Sequence, residues 1–168
     1  AGTDDRHTFT HTNFENMDIA ISAGSRHGTA PHYNGNVGNF TMSDVTFTNV
    51  STAISHGSGQ GTSFDLSGVD ITNSEDSCIA LPDDSTLTWI GGSATDCNTH
   101  AYTGQGAVDT GDGSTVVMEN VDITNSAVNG IIGEADSLWL SNVTVDASSG
   151  FSWQQTGTGV AQTGTASS

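Results

Sequence analysis

Apolar and polar residues alternate along this chain in short bursts, and the bursts recur. Six segments align: TNFEN (12–16), VTFTN (45–49), VDITN (69–73), GSATD (92–96), VDITN (121–125) and VTVDA (143–147). In each, the first and third residues are mostly apolar and the residue between them mostly polar. That is the period of a strand with one buried face. Successive segments start 33, 24, 23, 29 and 22 residues apart, so the alternation belongs to a structural repeat.

A second short strand precedes each segment from the second onward. Its apolar pairs are Phe40/Met42, Phe64/Leu66, Leu87/Trp89, Val116/Met118 and Leu138/Leu140. Two residues then separate the strands: Ser43-Asp44, Ser67-Gly68, Ile90-Gly91, Glu119-Asn120 and Ser141-Asn142. The second of each pair is Gly, Asn or Asp, the types that tolerate a positive φ, so a bend recurs there. A third apolar patch follows at Ile19/Ile21, Ala53/Ile54, Cys78/Ile79, Ala101/Tyr102, Ile131/Ile132 and Phe151/Trp153. Each turn thus carries three short strands and three bends. The pattern predicts an all-β fold, a single parallel solenoid of about six coils. At about 4.8 Å per coil the rod is roughly 29 Å long. Residues 1–6 form a lead-in, 7–154 the solenoid, and the Gly-, Thr- and Ser-rich stretch 155–168 a tail.

The fifth residue of the aligned segment reads Asn16, Asn49, Asn73, Asp96, Asn125 and then Ala147. Asn is disfavoured in an isolated strand, so the column needs a structural reason. Amides stacked at an inward bend can hydrogen-bond along the rod as a ladder. With this ladder the chain resembles the right-handed parallel β-helix, the pectin-lyase-like superfamily, over residues 7–154. The resemblance implies the right hand, as does the general handedness of parallel crossovers. It is specific for fold and not for activity. Two bends are enlarged, at 25–38 and 103–113, and long loops are where such scaffolds build sites.

Only 33% of the residues are hydrophobic, and the net charge is -17 with no Lys and two Arg against 19 acids. A stacked repeat can still fold, because it needs only a thin apolar core per repeat. The charge repels polyanions and excludes nucleic acid as a partner. It suits high salt or a marine setting rich in divalent cations. No long apolar run predicts membrane insertion. Cys78 and Cys97 fit either an extracellular disulfide between neighbouring coils or two buried thiols.

Polysaccharide cleavage is the best-known activity of the family that the chain resembles. EDSCIAL (75–81) is similar to the Asp-Asp-Cys-Ile-Ala motif of polygalacturonases at Asp76, Cys78, Ile79 and Ala80, with Ser77 where an Asp is expected. The downstream His-Gly and Arg-Ile-Lys elements are absent, so the expectation leans away from an enzyme. Arg26, His27, His32 and Tyr33 are the loop residues with which a glycan could be bound. The histidines gather early, at His7, His11, His27, His32 and His56, without the tight spacing of a metal motif. Asp83 and Asp84 at one bend, and Asp109 and Asp112 in DTGDG, are candidate Ca2+ ligands, since Ca2+ takes several oxygens from flexible loops. The outward column Thr48, Thr72, Thr95 and Thr124 raises ice binding as a lesser alternative, although acids interrupt the column beside it.

The reading favoured by these features is a non-enzymatic, extracellular or cell-surface module of an adhesin or filament-forming protein. Its open terminal coils are expected to favour end-to-end self-association. The alternative is a carbohydrate-binding or polysaccharide-cleaving β-helix.

Overall fold

Alternation with a period of two obliges each strand to bury one face, and the chain here does so by pairing each strand with one from a neighbouring repeat. A computed structural model describes residues 5–23, 38–56, 61–147, 153–155 and 166–167. Among them there are fourteen strands and no helix, and the strands join into one sheet. Every pairing is parallel. No helix of the described residues is long and apolar enough to cross a membrane.

The strands pair in three files. The first file holds β1 (Asp5–Thr10), β3 (Gly38–Ser43), the first halves of β5 (Ser63–Ser74), β7 (Thr86–Thr95) and β9 (Thr115–Ser126), and β11 (Ser137–Ser141). The second runs through the starts of β2 (Asn13–Ala23) and β4 (Thr46–His56) and the second halves of β5, β7 and β9. It ends with β12 (Val143–Ala147) and β14 (Ala166–Ser167). The third continues along β2 and β4 to β6 (Ile79–Ala80), β8 (Gly106–Thr110), β10 (Asn129–Gly133) and β13 (Trp153–Gln155). In the second file Asn13 pairs with Thr46, Thr46 with Asp70, Asp70 with Ser93, Ser93 with Asp122 and Asp122 with Thr144. Those offsets are 33, 24, 23, 29 and 22 residues, the intervals of the aligned segments.

The core lies between the files. In the first, Phe40, Phe64, Leu87, Val116 and Leu138 share one row, and Met42, Leu66, Trp89, Met118 and Leu140 the next; all are buried. Burying a side chain of this size stabilises by about 1.5–3 kcal/mol. The Phe14/Phe47 and Phe40/Phe64 rings stack at 5.0 and 5.2 Å between centroids. Gly92 breaks the Val45, Val69, Val121 row because its backbone runs close to the strand before it. A Cβ there would sit 2.1 Å from the Val69 carbonyl oxygen, at a φ of +110°.

Two bends join the files, and both use the left-handed region. Between the first and second files it falls on His11, Asp44, Gly68, Gly91, Asn120 and Asn142, with φ from 49° to 69°. Between the second and third it falls on Asn16, Asn49, Asn73, Asp96 and Asn125, with φ from 53° to 59°. Asn and Asp tolerate this conformation better than other residues with a side chain, which explains both columns.

The structure departs from the sequence reading in several places. The Asn column does not point inward: Asn16, Asn49, Asn73 and Asn125 are exposed, because the left-handed residue turns its side chain out while Val50 and Ser74 turn in. The third file takes Val108, paired with Ile79 and Ile131, in place of Ala101/Tyr102. Tyr102 is 50% exposed, and Ala101 has a φ of +53°. The stretch 103–113 is therefore not one enlarged bend. Gly106–Thr110 is strand β8, and the added length lies at 97–105. The sheet also takes in Asp5 and Arg6 from the lead-in and Ala166–Ser167 from the tail.

Candidate functional site

The short strands β6 and β8 lie side by side, with Ile79 against Val108 and Ala80 against Asp109. Ile79 and Val108 face the core, and beside them the polar residues of the third file gather. Asp109 Oδ1 accepts a hydrogen bond from the Gly106 amide at 2.7 Å, and its Oδ2 accepts one from the Ser77 hydroxyl. Burial pushes the Asp109 carboxyl up to about 6, against the hydrogen bonds from Ser77 and Gly106, and the nearby Asp76 charge adds to the rise. A carboxyl in that range exchanges its proton in mildly acidic solution, as a general acid or base must. Asp76 is followed outward by His100, whose Nδ1 is 4.0 Å from Asp76 Oδ1, and His100 meets the Tyr102 ring edge-on.

The added segment 97–105 leans over this group. Asn98, fully buried at a φ of +53°, holds it together. Its Nδ2 donates to the carbonyls of Tyr102 and Gln105, and its Oδ1 accepts from the Tyr102 amide. Asn129 donates to the Gln105 carbonyl from the next strand of the file. Cys97 is bonded to Cys78 across 5.5 Å between Cα atoms, and both are fully buried. The two alternatives for the cysteines resolve to the disulfide, which ties this segment to the residue after Ser77.

An open groove of about 620 Å3 lies along the outside of the third file. Gly104, Gly111 and Gly133 keep its floor low, and Asp83, Asp109, Asp112 and Glu134 are among its walls. At Gly133 a Cβ would meet the Thr110 carbonyl oxygen at 2.2 Å, so a side chain cannot fill that part of the floor. The groove offers acceptors and one proton-exchanging carboxyl, and its negative rim opposes polyanionic chains.

The candidate Ca2+ residues are neighbours without forming a cage. Asp83 Oδ1 accepts the Asp112 amide at 3.0 Å, and the Asp84 amide donates to the Asp112 carbonyl at 2.7 Å, so these turns cap one another. Both Asp109 oxygens are held by Ser77 and Gly106. Among the described residues no three His, Cys, Asp or Glu side chains converge to hold a metal. Arg26, His27, His32 and Tyr33 lie outside the described residues.

In the ladder column Asn49 donates to Asn16 Oδ1 at 3.2 Å and Asn73 to Asn49 Oδ1 at 2.7 Å. A parallel contact joins the other bend, where Asn142 donates to Asn120 Oδ1 at 2.7 Å. Thr48, Thr72, Thr95 and Thr124 stand in register, with the last two hydroxyls 3.2 Å apart. Sequence reasoning placed Asp109 in an acidic loop and missed its bond to Ser77. The pairing of Ile79 with Val108 was the signal, hidden by the added residues of 97–105. Compared with protein-family models, curated proteins and solved structures, the chain matches none.

Proposed function

We propose that the chain is a right-handed parallel β-helix of about six coils, three short strands to a coil, and that it serves as a non-enzymatic extracellular module of a surface or adhesive protein. The observation that carries this reading is the register of the second file, whose offsets from Asn13 to Val145 equal the sequence repeat. Such a stack presents one long, regular face and extends by addition of coils. The buried Cys78–Cys97 disulfide supports an oxidising compartment. The charge of -17 without Lys supports a saline one, where counterions screen self-repulsion.

A second reading is favoured by one feature, the groove beside Asp109. Its proton-exchanging carboxyl and acceptor-rich walls suit a neutral saccharide better than a polyuronate. A glycan array run together with assays of product release from neutral and acidic polysaccharides separates the two readings. An adhesive module retains saccharide and releases no product. Release of product that stops on Asp109→Asn overturns the non-enzymatic reading in favour of the groove.

A further inference from the structure

The segment 97–105 is held mainly at its two ends. Thr99 to Gly104 are all exposed. The disulfide fixes Cys97, and the Asn98 side chain braces the turn from within. At the other end the Gln105 carbonyl accepts from Asn129, and the Gly106 amide donates to Asp109 Oδ1 at 2.7 Å. The second oxygen of Asp109 accepts from Ser77, the neighbour of the bonded Cys78. One carboxyl, with both oxygens engaged, thus touches both anchorages of the segment. Gly104 of the same segment stands in the wall of the groove that Asp109 lines, so a movement of the segment changes the width of that groove.

A buried carboxyl resists ionisation unless a base faces it. The charged groups about Asp109 are acids: Asp76 before β6, Asp83 after it, Asp112 beyond β8 and Glu134 beyond β10. His100 of the segment lies beside Asp76 at 4.0 Å, and His56 ends β4, the strand next to β6. The chain has no Lys, and Arg6 is on β1.

We infer that the segment 97–105 is a pH-sensitive flap on the groove, closed while Asp109 holds its proton and loosened when Asp109 ionises. The direction follows from linkage. In the closed form burial pushes the Asp109 carboxyl up to about 6, against the bonds from Ser77 and Gly106 and with a contribution from Asp76. In the open form the carboxyl meets water and returns toward its ordinary 3.8. The closed form therefore keeps a proton that the open form releases. The flap is firmest below about 4, and opening grows easier as pH rises to about 6. The response is local because residues 99–104 are exposed, whereas Leu66, Leu87, Trp89, Val116 and Met118 bind the strands behind them into the core. The flap is independent of whether the module adheres to saccharide or cleaves it.

Hydrogen exchange of the full chain at pH about 4.5 and about 7.5, corrected for the intrinsic exchange rates of free amides, tests this. Protection over 98–106 should fall at least about tenfold from the lower pH to the higher, while β5 and β9 keep theirs. The dependence should vanish in Asp109→Asn, which keeps the shape of the side chain and removes its charge. It should persist in His100→Gln and in His56→Gln, whose histidines are the other groups near the segment that exchange protons close to neutrality. Equal protection over 98–106 at the two pH values overturns the inference. So does a loss shared equally by β5 and β9, one that survives in Asp109→Asn, or one that disappears in either histidine variant.

Discussion

The chain passes from the second file to the third in two different ways. After Asn73 it needs six positions to reach the inward residue Ile79; after Asp96 it needs twelve to reach Val108. The first crossing turns on Asn73, a residue type that also stands at positions 16, 49 and 125 of the column. The second is made by residues that occur once: Cys97, Asn98 and, from the next strand, Asn129. The two crossings carry the same strand register on either side. A stacked fold thus tolerates an insertion when local bonds close it, and the insertion carries one half of the disulfide, with the proton-exchanging carboxyl of Asp109 on the strand that follows it.

The largest test breaks the regular region. Phe64 is fully buried between Phe40 and Leu87, and Phe64→Ala should lower the free energy of unfolding by about 3–5 kcal/mol in urea titration. The inserted crossing should lose less on removal of its tie. Cys78→Ala with Cys97→Ala frees a 19-residue separation and should cost roughly 3 kcal/mol. Hydrogen exchange should show the added loss of protection concentrated at 97–105, with β5 and β9 little changed.

Asp109 sharpens the comparison through pH. Its folded carboxyl titrates near 6, above its ordinary 3.8, so the folded state holds a proton that the unfolded state has released. Stability from this group is therefore intact below about 4, falls as pH rises from about 4 to 6, and is level above. Asp109→Asn should raise stability at pH 7 on the order of 1–3 kcal/mol and change little at pH 3.5. Thermal melts at the two pH values check it. The smallest effect belongs to the recurrent bend. Asn73→Ala should cost about 1–2 kcal/mol by placing Ala at a φ of 59° and losing the bond to Asn49, and Asn73→Gly should cost less.

The recurrent half of the molecule was readable from the sequence because its rules are periodic. Phe40/Met42, Phe64/Leu66, Leu87/Trp89, Val116/Met118 and Leu138/Leu140 follow from alternation, and Asp44, Gly68, Gly91, Asn120 and Asn142 from the conformation each tolerates. The aligned segments carry the offsets of the strand pairs for the same reason. What escaped was set by single residues. Ala101/Tyr102 matched the apolar pattern at the expected distance, but the six extra positions moved the inward role to Val108. Asp109 looks like a loop acid beside glycines, and only the pairing of β6 with β8 brings it to Ser77. The Asn column was recognisable as a bend but not its outward direction, which depends on the sign of φ.

In-register stacking of the second file is the claim on which the rest stands. Solution NMR of the full chain tests it through long-range amide contacts along the Thr column. The account predicts nuclear Overhauser effects linking Thr48 to Thr72, Thr72 to Thr95, and Thr95 to Thr124, in the pattern of parallel neighbours about 4.8 Å apart. Contacts of antiparallel type at these residues, or contacts that pair Thr72 with partners other than Thr48 and Thr95, would contradict it.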